Sequence, residues 1–221
     1  METEAGNASP VIEVFAYGEY DLPLDWTKLG RVLDVGAHVG SFALWTCERA
    51  RDARIVSVEP EPRNFSDLVL NIERNGLADR IDAVNAALGT EPGTVTLHVL
   101  MNRESSSTLA TEGDSIQAVV IPLPALIERL DGQLDLLKLD AEGAEWPALG
   151  ALDPETWAKI PRLIMECHAG AGRTVEEMVE LLEQQGFAPK VLSRQPSGVP
   201  WCDEVALIWA GRDSTDLASA P

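Results

Sequence analysis

The chain has 221 residues, of which 45% are hydrophobic and 24% are charged, the balance of an ordinary globular protein. Its 17 basic and 36 acidic side chains give a formal net charge of −19 at pH 7. Because an acidic surface repels phosphate backbones, nucleic acid is disfavoured as a partner.

The cysteines and the chain ends indicate where the protein works. Three scattered cysteines, an odd number, fit neither a disulfide framework nor a zinc site and favour a reducing compartment. No apolar run approaches the roughly 18 residues of a membrane span, and the first ten residues lack the features of a secretory signal. We expect a cytoplasmic protein without membrane contact, with one domain over residues 11–212 between flexible ends at 1–10 and 213–221.

The hydrophobic pattern predicts strands that alternate with helices. Predicted strands cover residues 31–35, 54–58, 81–88, 95–100, 134–139, 162–167, 188–192 and 204–209. Predicted helices cover 41–51, 62–75, 123–130 and 174–185, with Ser41 and Thr174 as N-caps, and 102–114 is predicted as a polar loop. This alternation predicts an α/β fold, a Rossmann-like, doubly wound and mostly parallel sheet closed by an antiparallel hairpin of the last two strands.

The ends of the first two predicted strands carry the pattern of a nucleoside site. Gly36 and Gly40 follow the first strand, where glycine permits a tight turn and close approach of a ligand. Glu59 follows Gly36 by 23 residues, near the spacing of about 20 at which an acid reaches ribose hydroxyls. His38 occupies the place of the second glycine in the dinucleotide fingerprint, which disfavours a pyrophosphate. S-adenosylmethionine carries no phosphate and fits this turn better.

Four sequence blocks, in a fixed order, resemble those of a known family. They are 32–40 (VLDVGAHVG), 58–64 (VEPEPRN), 85–89 (NAALG) and 137–145 (LKLDAEGAE). With them, and with weaker blocks at 149–150 and 161–168, the chain resembles the FkbM family, a branch of the class I S-adenosylmethionine-dependent methyltransferases. A segment that usually ends Leu-Asp before the next helix reads Leu123-Pro124 here, a departure that concerns local geometry.

The resemblance implies a cofactor site. The residues that it places around S-adenosylmethionine are Asp34, Gly36, His38, Gly40, Glu59, Asn85 and Ala86. Gly36 and Gly40 would border the methionine and ribose part, with Asp34 orienting their loop. Glu59 would accept hydrogen bonds from both ribose hydroxyls, and the last two residues would lie beside the adenine. His38 would shape the loop or touch the substrate.

Three further residues are candidates for the chemistry. Asp140 and Glu142 follow the strand at 134–139, where carboxylates could hold the methionine end, accept a substrate proton or bind a divalent metal. For Glu142 the alternative is an acid that stabilises a helix N-terminus. His168 ends the next strand and could act as a base, or could be a surface histidine or one bonded to Glu166. Two carboxylates without a third ligand are a weak metal signal, so no metal site is assigned.

These features predict O-methylation of a small hydroxylated molecule, such as a sugar or a polyketide-type product, with His168 or Asp140 as the base. Two alternatives stay open, a nicotinamide-dependent oxidoreductase and a non-catalytic cofactor-binding partner protein. A homo-oligomer is compatible with the sequence. Trp26 and Trp201 could line the substrate pocket, and His98 is interpreted as structural. The loop 104–108 could close over the pocket, but a solvated loop is favoured.

Overall fold

The structure is a computed structural model, and it describes residues 9–16, 20, 22, 24–99, 106–107, 110, 114–197 and 201–212. Most of the predicted flexible N-terminus, the predicted tail at 213–221 and most of the predicted loop at 102–114 lie outside these residues. The single domain over 11–212 stays a prediction. Among the described residues, no helix is long and apolar enough to cross a membrane.

Eleven strands form in the described part of the chain. They are β1 (Arg31–Val35), β2 (Arg54–Val58), β3 (Ile81–Val84), β4 (Ala87–Gly89), β5 (Gly93–Val99), β6 (Ser106–Ser107), β7 (Asp114–Pro122), β8 (Leu136–Leu139), β9 (Arg162–Ala169), β10 (Ala188–Pro196) and β11 (Glu204–Gly211). The α-helices are α1 (Ser9–Phe15), α2 (Ser41–Arg49), α3 (Pro62–Arg74), α4 (Leu123–Glu128), α5 (Glu145–Gly150), α6 (Pro154–Ala158) and α7 (Val175–Gln184), and Trp26–Lys28 form a turn of 3-10 helix.

The main sheet has seven strands in the order β10-β11-β9-β8-β1-β2-β3. Strands β9, β8, β1, β2 and β3 are parallel to one another, and β11 is antiparallel to both β9 and β10. The predicted doubly wound sheet with a closing antiparallel hairpin is therefore confirmed. The chain leaves β1 toward β2 on one side and returns to β8 on the other, so the strand order reverses between β1 and β8, where ligands of such sheets bind.

Side chains of alternating strand residues build a separate apolar core on each face of this sheet. Val32 and Leu136 contribute to a core with α1, α2 and α3, whereas Leu33 and Leu137 contribute to one with α4 to α7. All four side chains are completely buried. Burial on both faces explains why these strands are almost continuously apolar in the sequence.

A second sheet, in the order β4-β7-β5-β6, corrects two sequence predictions. The single strand predicted over 81–88 is two strands in different sheets, because the chain passes from β3 to β4 through Asn85 and Ala86. Strand β7 was not predicted, and β6 lies within the predicted loop; its Ser107 pairs with His98 of β5. The alternating exposure of β5 and β7 is typical of an antiparallel pair with one face in solvent.

Of the two predicted N-cap residues, the structure confirms one and corrects the other. Thr174 caps α7 and forms the capping box with Glu177, as predicted. Helix α2 differs, because its N-cap is Gly40 in the left-handed conformation and Ser41 is already helical. The predicted Ser41 cap is therefore wrong.

Candidate functional site

A cleft opens at the carboxyl ends of β1, β2 and β8, where the strand order reverses. Its floor comes from the loops that follow these strands, including Gly36, Glu59 and Asp140. Leu88 of β4 and Leu97 of β5 add an apolar wall from the second sheet. The cleft therefore combines polar groups on one side with an apolar surface on the other, as ligand sites usually do.

Gly36 is required by the contact between two loops. Its φ is +75°, and a Cβ atom at this position would overlap the carbonyl oxygen of Asp140. The loops after β1 and β8 can approach each other this closely only because residue 36 has no side chain. Gly40, with φ +90°, would bring a Cβ to 2.7 Å from Leu68 Cδ1 and is not among the residues that line the cleft.

Glu59 is a buried acid whose carboxylate is held by two backbone donors. His38 N–H donates to Oε2 at 2.9 Å, and Glu61 N–H donates to Oε1 at 2.9 Å. Burial raises the pKa of Glu59 to about 7, against the opposing effect of these two hydrogen bonds. Each oxygen keeps one further lone pair, so the carboxylate can accept two more hydrogen bonds from a ligand in the cleft.

A buried lysine holds the glycine loop in place. Lys138 Nζ donates to the carbonyl oxygens of Gly36 at 2.7 Å and Val35 at 3.3 Å, and lies 3.7 Å from Asp34 Oδ1 and 3.4 Å from Asp140 Oδ2. Burial raises the pKa of Asp34 to about 6, although the Lys138 charge acts in the opposite direction. Asp34 therefore acts on the loop through Lys138, since its own carboxylate contacts Ser57 and Lys138.

The acidic loop after β8 is joined to the end of β9 by Glu145, which is completely buried. Its carboxylate accepts hydrogen bonds from Gly143 N–H at 2.8 Å and His168 N–H at 2.8 Å, and lies 3.0 Å from His168 Nδ1. His168 Nε2 lies 3.4 Å from Glu142 Oε2. The sequence alternative that paired His168 with Glu166 is thus replaced by a Glu145–His168–Glu142 series.

His168 lies outside the cleft lining and faces several acids. Burial disfavours its charged form, but the hydrogen bond with Glu145 and the charges of Glu145, Glu142 and Asp140 outweigh that effect and raise the pKa of His168 well above its ordinary value. A raised pKa favours the charged imidazole, which is not the form that accepts a proton. The role of His168 as the base stays a prediction, and its place outside the cleft lining favours Asp140 or Glu142 for that role.

The structure brings together six of the ten predicted site residues. Those that line the cleft are Gly36, His38, Glu59, Ala86, Asp140 and Glu142. Those outside its lining are Asp34, Gly40, Asn85 and His168. Asn85 instead donates its side-chain amide to the carbonyl oxygens of Glu59 at 2.8 Å and Pro60 at 3.2 Å, which supports the loop rather than a ligand.

The predicted tryptophans do not line the cleft. Trp26 packs edge-on against Trp45 at 4.6 Å in the core beside α2. The Trp201 ring lies 5.7 Å from the His168 ring and is outside the cleft lining. His98 lies in β5, outside the lining, in agreement with the structural role expected for it.

Three groups near the cleft offer ligand atoms to a metal ion. Oxygens of Asp140 and Glu166 and a ring nitrogen of His168 all lie within 4.8 Å of one another in the described part of the chain. This set replaces the Asp140–Glu142 pair considered from the sequence. It does not fit Mg²⁺, which prefers oxygen ligands alone, and the Lys138 ammonium already faces Asp140. We therefore assign no catalytic step to a metal.

Sequence reasoning missed three residues of the site. Lys138 is a single cation in the apolar run of β8, a signal that is visible in the sequence. Asn64, which is buried and lines the cleft, belongs to the second of the quoted blocks. Glu145 belongs to the fourth quoted block, but an acid in the first turn of a helix is usually exposed, so the sequence did not predict its buried role.

Comparison with known proteins places the chain among methyltransferases. The family model of the methyltransferase FkbM domain matches residues 34–189, more than two thirds of the chain. Methyltransferase SdnD of Sordaria araneosa is 26% identical, with 71% of this chain and 73% of that protein covered. The 31-O-demethyl-FK506 methyltransferase FkbM of Streptomyces tacrolimicus is 28% identical, with 71% and 72% covered.

A solved structure agrees with this result at the level of the fold. The crystal structure of a methyltransferase FkbM from Methylobacillus flagellatus superposes with a TM-score of 0.60 at 16% identity. The match covers 90% of this chain and 47% of that one. The superposed part therefore takes in most of this chain and less than half of the other protein.

Replacement of Gly36 tests the close contact between the loops. Gly36→Ala should lower the free energy of unfolding by at least about 3 kcal/mol, because it combines a left-handed backbone with overlap of the Asp140 carbonyl. Gly76→Ala is the matched control, since Gly76 has φ +65° and a Cβ added there would meet no atom within 4 Å. Gly76→Ala should lower the free energy of unfolding by only about 1–2 kcal/mol. Equal losses in urea unfolding of the two variants would contradict the proposed overlap.

Proposed function

We propose an acceptor class and a mechanism for this chain, which belongs to the FkbM family and is an S-adenosylmethionine-dependent methyltransferase. The proposal is O-methylation of a small hydroxylated molecule bound in the cleft beside Asp140 and Glu142. The observation that carries it is the cleft lining, in which Asp140 and Glu142 lie beside the buried Glu59 carboxylate, whose two oxygens can each accept a further hydrogen bond from a ligand. The Streptomyces relative is named for an oxygen of FK506, a small molecule, which supports oxygen as the acceptor atom.

The residues of the cleft fit the cofactor. Glu59 would accept the two ribose hydroxyls, and Ala86 with Leu97 would cover the adenine face. The backbone at Gly36, fixed by Lys138, would border the methionine part. When bound, S-adenosylmethionine supplies a methyl group already activated on a sulfonium, so the protein has no need to activate the donor.

The contribution of the chain is then to position the acceptor and to remove its proton. Holding the acceptor oxygen near the methyl carbon can supply up to about 7–11 kcal/mol of the barrier. A base that takes the hydroxyl proton adds about 10²–10⁴-fold. Asp140 and Glu142 are the carboxylates of the cleft that follow β8, and either could reach an acceptor placed there.

The charge of the cleft restricts the acceptor. Its described lining holds three acids, Glu59, Asp140 and Glu142, and contains neither lysine nor arginine. These acids would repel a carboxylate or phosphate on a bound acceptor, and the described lining holds no lysine or arginine to bind such a group. We therefore expect neutral or cationic acceptors.

Replacement of Glu59 tests the cofactor site. Glu59→Gln should weaken binding of S-adenosylhomocysteine at least tenfold, because its amide group must face either the His38 or the Glu61 N–H. Isothermal titration calorimetry measures this directly, with the exposed Glu73→Gln as control and NADH as a competing ligand. Unchanged affinity of Glu59→Gln for S-adenosylhomocysteine would contradict this placement of the ribose. Tighter binding of NADH than of S-adenosylhomocysteine by the wild-type protein would contradict it as well.

The same carboxylate predicts how binding depends on pH. With a pKa of about 7, Glu59 is mostly charged at pH 8 and mostly protonated at pH 6. If the charged form binds the ribose, the Kd for S-adenosylhomocysteine should be about tenfold higher at pH 6 than at pH 8. The Glu59→Gln variant should lose this dependence, whereas equal pH dependence in both proteins would assign it to another group.

A panel of acceptors tests the reaction. Wild-type protein incubated with labelled S-adenosylmethionine should methylate neutral hydroxylated probes, such as methyl glucoside or catechol, and should react at least tenfold more slowly with glucuronate. Mass spectrometry of the product identifies the methylated atom. Tight binding of S-adenosylhomocysteine without product from any probe would favour the non-catalytic alternative, and methylation of nitrogen alone would contradict O-methylation.

A further inference from the structure

Glu145 is a carboxylate in a fully buried position, where a charged group is energetically unfavourable unless it is paired. It is completely buried, and its two oxygens bind the Gly143 N–H, the His168 N–H and the His168 ring. A buried carboxylate is retained at low cost only when such partners satisfy it. All of these partners belong to the protein itself, so Glu145 acts on the loop after β8 and on His168.

His168 transmits this arrangement to the cleft. Because Nδ1 is bound to Glu145, Nε2 is directed at the Glu142 carboxylate, 3.4 Å away. His168 itself is outside the cleft lining, whereas Glu142 is part of it with 22% of its side chain exposed. His168 therefore acts on an acceptor through the cleft carboxylates beside its ring, Glu142 at 3.4 Å and Asp140 within 4.8 Å.

The loop presents Glu142 in an uncommon backbone conformation. Glu142 has φ +50° and Gly143 has φ +97°, two left-handed residues in sequence. A non-glycine residue keeps such a conformation when its surroundings hold it. The Ser107 hydroxyl donates to the Glu142 carbonyl oxygen at 2.7 Å, and Glu145 holds the Gly143 N–H. Both contacts fix the direction of the Glu142 side chain.

The other carboxylate after β8 is connected to a different part of the site. Asp140 lies 3.4 Å from Lys138 Nζ, which holds the carbonyl oxygens of Val35 and Gly36. Asp140 is thus coupled to the cofactor loop. Glu142 is coupled to His168, at 3.4 Å, and to β6, and it lines the cleft where an acceptor would bind.

We propose that Glu142 is the base that receives the acceptor's proton, and that Glu145 is a positioning residue that orients Glu142 through His168. The inference rests on the proposed O-methylation. As the methyl carbon–oxygen bond forms and the carbon–sulfur bond breaks, the hydroxyl proton passes to Glu142, which later releases it to solvent. S-adenosylhomocysteine leaves with a neutral sulfur, so charge and protons balance.

The charged groups around His168 set the expected effect of pH. Glu145 faces its ring from α5, Glu142 and Asp140 face it from the loop after β8, and Glu166 faces it from β9. The Lys138 ammonium lies beyond Asp140 on β8. Glu145→Gln removes one negative charge beside the ring, so the pKa of His168 should fall. Glu142 then loses its cationic neighbour at neutral pH, and its pKa should rise.

The experiment compares Glu142→Gln, Glu145→Gln and the exposed control Glu183→Gln with wild type. Using the fastest neutral probe of the panel, Glu142→Gln should lower kcat by about 10²–10⁴-fold with the Kd for S-adenosylhomocysteine unchanged. Glu145→Gln should lower kcat roughly tenfold or more and move the acid limb of the kcat profile to higher pH. Glu183→Gln should match wild type, since Glu183 is exposed on α7.

A readout that needs no acceptor is the NMR titration of the imidazoles. The protein has three histidines, so the His168 signal can be assigned by its loss in His168→Gln. It should titrate at higher pH in wild type than in Glu145→Gln. If Glu145→Gln does not fold, His168→Gln provides the second test and should shift the kcat profile in the same direction.

Separate outcomes overturn this inference and the proposed function. Retention of kcat within threefold in Glu142→Gln would reject it as the base, and an unchanged pH profile and His168 titration in Glu145→Gln would reject the positioning role. Both results would leave O-methylation standing. Absence of product from every probe in the wild-type protein would overturn O-methylation, and the assignment of the base with it.

Discussion

The site depends on one ammonium group buried between two strands. Lys138 of β8 reaches across to β1, where it binds the carbonyl oxygens of Val35 and Gly36 and faces the Asp34 carboxylate. A charge in this position requires partners, because burial without them costs several kcal/mol. The two strand ends on either side of the switch point are thereby held together, and the glycine loop acquires a fixed conformation.

The acidic groups of the site lie around two different cations, Lys138 and His168. Asp34 and Asp140 neutralise Lys138 and so belong to the support of the cofactor loop. Glu142 and Glu145 lie on either side of His168, whose positive charge they stabilise. Each cation faces at least two acids, and Asp140 lies near both. The site therefore stays negative, in agreement with a ligand that brings its own positive sulfonium.

The sequence predicted the sheet well because burial on both faces leaves a strong apolar signal in β1 and β8. Strand β7 and the division of 81–88 into β3 and β4 were missed, since half-exposed strands alternate weakly and a change of sheet has no local pattern. Site residues were predicted where a local sequence pattern requires one residue type, as for the glycine turn at Gly36 and the acid after the second strand at Glu59. Glu145 was missed because its role comes from contact with His168, 23 residues away in the chain.

Two of the cleft residues show how rigid strands support strained loops. His38 and Glu142 are non-glycine residues with positive φ, at +51° and +50°. Each is held by a hydrogen bond with a residue of another segment. His38 N–H donates to the Glu59 carboxylate, and the Ser107 hydroxyl donates to the Glu142 carbonyl oxygen. Such conformations cost about 1–3 kcal/mol and persist where surrounding contacts determine them. Because both partners are fixed by strands, β2 for Glu59 and β6 for Ser107, the sheets stabilise the loop conformations on which binding and proton transfer would depend.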